Sequence, residues 1–334
     1  MTKVGINGLG RIGRAAFKIL IDHPDMEVVA INDLIPTDNL AYLLRYDTVY
    51  GRFHRKVESK EQELIVDGKS YPVYNEKDPT QIPWKEKEVD VVLECTGVFT
   101  KKEDLDKHLQ AGASQVILSA PAKDEDIPTI VHGVNHEQDL PDIISTASCT
   151  TNCIAPVVEI VKRRIGMKKA NMTTTHAYTS SQGIVDSPAK KMRRGRAAAA
   201  NFVPTSTGAA KATGKAIPEV EGIFDGAAIR GPIPAGSIAD INIVTEKKTS
   251  VDELKKIFKE EANGRYDGII GLSEDELVSS DILQDDRASI IDGGMLQVVD
   301  GDLVKIMSWY DNEWGYASQM IKQAAHMVKA KEAA

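Results

Sequence analysis

Lys3-Val4-Gly5-Ile6-Asn7-Gly8-Leu9-Gly10-Arg11-Ile12-Gly13-Arg14 carries an apolar run straight into a cluster of glycines. Residues 3–7 read as a buried strand, and Ala15, Ala16, Phe17, Ile19 and Leu20 continue beyond the glycines at helical spacing. A second apolar run follows at 27–32, and Asp33 lies 20 residues beyond Gly13. Strand, glycine turn, helix and strand in this order form one unit of a parallel sheet whose turn suits a dinucleotide. Gly8 permits the tight turn, Gly10 lets a pyrophosphate approach the backbone, and Gly13 lets helix and strand pack closely. A carboxylate at Asp33 would accept bonds from ribose hydroxyls and repel a 2′-phosphate, which favours NAD over NADP.

Working outward, 90–95 and 115–119 read as further buried strands with a helix at 102–110 between them. Thr96, Gly97 and Ser119 then sit at the carboxyl edge of the sheet, where open α/β sheets place their ligands. Residues 55–74 alternate polar and apolar around Asp67-Gly68, the mark of an antiparallel hairpin. Later in the chain, strands at 169–175, 226–232, 237–246, 287–299 and 303–310 outnumber helices such as 251–262. The fold class expected is therefore α/β: a Rossmann-type dinucleotide-binding domain (1–148, completed by a C-terminal helix at 314–334). An α+β catalytic domain with a mostly antiparallel sheet follows at 149–313.

The junction holds Ala147-Ser148-Cys149-Thr150-Thr151-Asn152-Cys153, with a strand before it and an amphipathic run, 154–161, after it. Cys149 is thus expected in or beside the first turn of a helix, where backbone N–H groups and the helix dipole favour a thiolate. Ser148 and Thr150 flank it with hydroxyls. His176, at the end of a strand in a threonine-rich run, is a candidate base for it, and thiolate–imidazolium pairing would depress the cysteine pKa. Lys190-Lys191-Met192-Arg193-Arg194-Gly195-Arg196 could supply the field for a phosphorylated substrate. Thr207 and Gly208 at a helix start form a ready anion site, and Arg230 lies near a strand end. Cys95 and Cys153 read as core.

The 334 residues carry a net charge of -8, which argues against nucleic acid as the main partner. No apolar stretch reaches membrane-spanning length and no signal segment precedes Lys3, so a cytoplasmic location without a membrane partner is expected. Three cysteines do not make a disulfide framework, and no metal site is expected.

These residues together resemble the phosphorylating glyceraldehyde-3-phosphate dehydrogenases over essentially the whole chain. The resemblance rests on 7–14, Glu94-Cys95-Thr96-Gly97-Val98-Phe99, 147–153, 204–211 and Ser308-Trp309-Tyr310-Asp311-Asn312-Glu313-Trp314-Gly315-Tyr316. It implies that Cys149 attacks the aldehyde of glyceraldehyde 3-phosphate, with His176 as base. NAD would be lined by Arg11, Ile12, Asp33, Lys77, Thr96 and Ser119, its carboxamide fixed by Asn312 with Tyr316 nearby. One anion site would use Ser148, Thr150, Thr207 and Gly208; the other would use Thr179 and Arg230, with Arg194 beside them. The substrates implied are a small phosphorylated aldehyde and inorganic phosphate, in glycolysis or gluconeogenesis, and the assembly implied is a homotetramer. Ser181 stands where many members have Asp or Thr, Lys77 where an arginine is common, and Ser187-Pro188 where NAD-type members carry Leu-Pro or Gly-Pro. The serine leaves some NADP use open. Erythrose-4-phosphate dehydrogenase shares the nucleophile logic, an amino-acid semialdehyde dehydrogenase would not need the closing motif, and a non-catalytic nucleotide- or RNA-binding protein would not need the cysteine.

Overall fold

The computed structural model describes residues 1–137 and 140–333. Contacts divide the chain into two units: Met1–Ile130, His136–Ala147 and Met320–Ala334 form unit 1, and Val131–Asn135 and Ser148–Gln319 form unit 2. The chain therefore passes between units one residue before the expected boundary. Residues 314–319 stay with unit 2 because Trp314 Nε1 and Ser318 Oγ each donate to Asp286 at 2.8 Å, and Gln319 Nε2 donates to the Asp286 carbonyl at 2.7 Å.

Unit 1 begins with β1 (Thr2–Asn7), α1 (Arg11–Leu20), β2 (Met26–Asn32) and α2 (Thr37–Arg45). It continues through a short ladder, β3 (Tyr46–Asp47) with β4 (Gly51–Arg52), then β5 (Val57–Lys60), β6 (Glu63–Val66) and β7 (Lys69–Tyr74). β8 (Val91–Glu94), α3 (Lys102–Gln110), β9 (Gln115–Leu118) and β10 (Ile143–Ser145) complete its sheet. The strand order is β10-β9-β8-β1-β2-β7-β6-β5, parallel from β10 through to β7 and antiparallel for β7, β6 and β5. Asp67 and Gly68 turn the β6–β7 hairpin with φ of 48° and 84°, which explains the Asp-Gly pair there. Val4, Ile6, Val91, Val92, Leu93, Val116, Ile117 and Leu118 are all fully buried, the continuous apolar run of a sheet covered on both faces.

Unit 2 opens with α4 (Cys149–Arg164), then β11 (Met167–Ala177), β12 (Val203–Ser206), α5 (Ala209–Ala216), β13 (Phe224–Gly231) and β14 (Ser237–Thr245). α6 (Val251–Ala262), β15 (Ile270–Ser273), β16 (Ser289–Asp292), β17 (Gln297–Val299) and β18 (Leu303–Tyr310) follow, and α7 (Trp314–Ala333) starts in unit 2 and belongs to unit 1 from Met320. The sheet runs β12-β13-β11-β14-β18-β16-β15, with β17 on β18. It is mixed: β11–β13 and β15–β16 are parallel, and the remaining pairs are antiparallel. β14 and β18 alternate buried and half-buried residues, and their register sets Ile241 against Ile306 and Ile243 against Val304. Those four side chains pack with Ile154, Val157, Val158 and Val161 of α4, each contributing roughly 1.5–3 kcal/mol on burial. That packing fixes α4, and with it the residue that starts α4.

Candidate active site

Cys149 is the first residue of α4, and Ser148 caps the helix by accepting from Thr151 N at 3.2 Å. Ala147, just before the cap, is fully buried with φ of +58°, a left-handed conformation that costs an alanine energy and that a strand-to-helix turn imposes. Cys149 Sγ lies 3.3 Å from His176 Nε2, on the penultimate residue of β11. Beneath them Tyr310 OH bridges Thr150 Oγ1 at 2.9 Å and Thr174 Oγ1 at 2.8 Å, and its ring meets the imidazole edge-on.

The parallel register of β11 and β13 sets His176 beside Arg230. Arg230 Nη1 reaches His176 Nδ1 at 2.6 Å and the Ala177 carbonyl at 2.9 Å. His176 Nδ1 also lies 2.7 Å from the Ala177 carbonyl, which only accepts, so Nδ1 faces a donor and an acceptor while Nε2 faces the sulfur. Burial, and then the Arg230 and Arg194 cations, push His176 down to about 3. Burial also pushes the Cys149 thiol up, opposed first by Arg230 and then by hydrogen bonds from Thr150. A second cation beside Arg230 in a buried site is disfavoured, which opposes charging of His176, and the guanidinium adds its own positive field at the sulfur. The site can hold a nucleophilic sulfur beside an imidazole nitrogen and attract an anion.

Unit 1 carries a cavity of about 400 Å³ whose lining includes Gly8, Gly10, Asp33, Lys77 and Thr96. The fit to a dinucleotide is steric and polar. A Cβ on Gly10 would meet nothing within 4 Å, which leaves that backbone open to a ligand, and no side chain caps α1. A Cβ on Gly13 would come within 2.0 Å of the Gly8 carbonyl, so glycine alone allows this helix–turn packing. Asp33 holds the turn by accepting from Leu9 N at 2.6 Å and from Ile35 N at 3.0 Å.

The remaining expected residues fall as follows. Arg11 and Ile12 start α1, but the Arg11 guanidinium is paired with Asp47 at 2.7 Å rather than lining the cavity. Gly97 turns with φ of +71°, and Ser119 N donates to the Glu94 carbonyl while its side chain bonds the Cys95 thiol. Asn312 is buried, its Oδ1 accepting from Gly236 N at 3.1 Å and Ser237 Oγ at 3.0 Å, so its NH2 group is the outward end; Tyr316 is buried on α7. Thr207 Oγ1 accepts from Ala209 N at the α5 start, beside an open Gly208. Thr179 pairs with Ser181, and Arg194 donates to Thr205 Oγ1 and the Ser206 carbonyl. Thr150 keeps its hydroxyl on Tyr310, an inward use that the sequence did not indicate. Sequence reasoning also missed Tyr310, Thr174, Asn7 and Asn32; the two asparagines end adjacent parallel strands, the signal that could have found them.

Among the described residues no cluster of three or more potential ligands could hold a metal, and no helix is long and apolar enough to cross a membrane. A family described as "Glyceraldehyde 3-phosphate dehydrogenase, NAD binding domain" matches residues 2–102, and one described as "Glyceraldehyde 3-phosphate dehydrogenase, C-terminal domain" matches residues 148–312. "Glyceraldehyde-3-phosphate dehydrogenase 1" of Bacillus cereus is 48% identical over 331 residues, 98% of this chain and 99% of the relative. "Glyceraldehyde-3-phosphate dehydrogenase" of Thermotoga maritima is 49% identical over 333 residues, 98% of this chain and 100% of the relative. The protein of that name from Geobacillus stearothermophilus is 47% identical over 329 residues, covering 98% of each chain.

Proposed function

Because the chain belongs to the glyceraldehyde-3-phosphate dehydrogenase family, we propose that it oxidises D-glyceraldehyde 3-phosphate to 1,3-bisphosphoglycerate, using NAD and inorganic phosphate. The observation that carries this reading is Cys149 Sγ at 3.3 Å from His176 Nε2, at a helix start and under the field of Arg230. His176 Nε2, 3.3 Å from Cys149 Sγ, takes the thiol proton as the sulfur adds to the aldehyde carbon; the carbonyl electrons become an oxyanion, which the resulting imidazolium N–H meets as donor and from which the proton returns to the sulfur at the end of the cycle. When bound, NAD supplies the hydride acceptor. Loss of hydride from the adduct leaves a thioester on Cys149, with no net proton transfer in that step. A phosphate oxygen then attacks the thioester carbon, the C–S bond breaks, and the thiolate returns, while hydrogen phosphate gives up its proton to solvent.

Arg230 and Arg194, both acting electrically on His176, form a cationic locus in an acidic chain and suit an anionic reactant. Thr179, Ser148, Thr207 and Gly208 are the polar groups assigned to the two anions. Asp33 in the cavity lining supports NAD over NADP, by repulsion of a 2′-phosphate. Exposed Ile184, Val185, Met192 and Phe202 support a homotetramer, and the free cysteines agree with a cytoplasmic setting.

Steady-state NADH formation tests the reading. The expected result is turnover of glyceraldehyde 3-phosphate that requires phosphate or arsenate, exceeds that of erythrose 4-phosphate, and favours NAD over NADP by roughly tenfold or more. A rate indifferent to phosphate and arsenate overturns the assignment.

A further inference from the structure

The floor of the unit 1 cavity rests on a carboxylate that the chemistry above does not use. Glu94, the last residue of β8, is fully buried. Its Oε2 accepts from Asn7 Nδ2 at 2.5 Å and lies 3.1 Å from His108 Nε2; its Oε1 accepts from Thr96 N at 2.8 Å and from the Thr96 hydroxyl. Trp84 Nε1, which can only donate, gives its proton to His108 Nδ1 at 3.0 Å. The His108 proton is therefore assigned to Nε2 and points at Glu94. Four donors converge on one buried carboxylate.

The consequence reaches the cavity wall. With Asn7 Nδ2 committed to Glu94, Asn7 Oδ1 is the acceptor and takes Asn32 Nδ2 at 2.8 Å; Asn32 Oδ1 in turn takes Glu76 N at 2.9 Å. One negative charge thus sets which way each amide along the strand ends faces. The glycine turn depends on it as well. Gly8, with φ of +92°, packs so tightly that a Cβ there would sit 2.8 Å from Thr96 N, the same N–H that Glu94 holds. Asn7, Gly8, Asn32, Glu76 and Thr96 all line the cavity, whereas Glu94 and His108 do not.

We propose that Glu94, supported by His108 and Trp84, is the positioning residue of the dinucleotide pocket, fixing the Asn7 amide and the Thr96 peptide against which the phosphate-binding turn packs. The inference rests on the reading of this cavity as the NAD site. Glu94→Gln keeps the shape but aims an amide N–H at groups that are themselves donors. A side chain serving stability alone would lower the melting temperature without touching the affinity of the folded protein.

Calorimetric titration of the full-length protein with NAD, well below its melting temperature, tests this. Glu94→Gln is expected to weaken NAD binding by about tenfold, as loss of a charge-assisted hydrogen bond would, and to raise KM for NAD while kcat at saturating NAD is largely kept. His108→Gln can still donate to Glu94, and His108→Asn can still accept from Trp84. The first should keep NAD affinity within about twofold and the second should lose about threefold, on the same hydrogen-bond reasoning. Folded Glu94→Gln binding NAD as tightly as the parent overturns the proposal. If Glu94→Gln does not fold, equal NAD affinity in the two His108 variants overturns it instead. Failure of the unmodified protein to bind NAD refutes the cofactor reading itself, a separate result.

Discussion

Replacing Arg230 by glutamine isolates the charge that serves the nucleophile. Arg230 Nη1 lies 2.6 Å from His176 Nδ1 and is the largest influence pulling the Cys149 thiol back from the rise that burial imposes. Arg230 bonds His176 and the Ala177 carbonyl, and it acts on the sulfur through its charge; a nearby opposite charge shifts a pKa by about one to three units. Loss of the guanidinium should therefore raise the Cys149 ionisation midpoint by about one unit or more. The assay is the pH dependence of iodoacetamide alkylation, resolved by cysteine with mass spectrometry. Half-buried Cys95 and fully buried Cys153, both pushed up to about 12, stay silent across the working range. His176→Asn is the comparator: removal of an uncharged hydrogen-bond partner should shift the midpoint by no more than about one unit. If Arg230→Gln left the midpoint where it was while His176→Asn raised it strongly, the counter-charge would be an imidazolium, and the electrostatics argued from the structure would be wrong.

Three further outcomes are expected. His176 is held down at about 3 in the folded chain, against about 6.5 unfolded, so the unfolded state binds more protons between those values. Its contribution is fully present above about pH 6.5 and is lost on acidification toward pH 3; denaturant titrations should show the parent losing about 1.4 kcal/mol per pH unit more than His176→Asn between pH 6 and 4, and equal slopes would contradict a neutral buried imidazole. Asp33→Ala removes both the repulsion of a 2′-phosphate and the anchor of Leu9 N, so KM for NAD should rise and the NAD-to-NADP ratio of kcat/KM should fall by about tenfold; an unchanged ratio sinks the selectivity argument. Ala147→Val places a β-branched side chain at φ of +58° in a fully buried turn and should cost about 2 kcal/mol or more by urea unfolding; a cost under about 0.5 kcal/mol would mean the turn relaxes freely.

Much of this was legible before any coordinates. The spacing of Gly8, Gly10, Gly13 and Asp33 expresses a local requirement for a short turn between strand and helix. The expected α6 and β18 span the same residues in the structure, because their apolar periodicity is local too. β12, β15 and α2 were not anticipated. Two are four-residue strands, too short to show a period, and α2 starts after Pro36 without a side-chain cap. The run at 287–299 broke into β16 and β17 because two consecutive glycines, Gly293 and Gly294, end the ladder.

By itself the sequence determined the class of fold and the family and singled out Cys149 as the candidate nucleophile, since each is written in residues close together along the chain. Protonation and orientation were decided only in three dimensions. Arg230 meets His176 through strand pairing across 54 positions of sequence, and Glu94 meets Asn7 across 87. A charge or hydrogen bond acts over a few ångströms of space without regard to sequence separation, so no local pattern could show that Arg230 lies against the imidazole or that four donors converge on a buried glutamate.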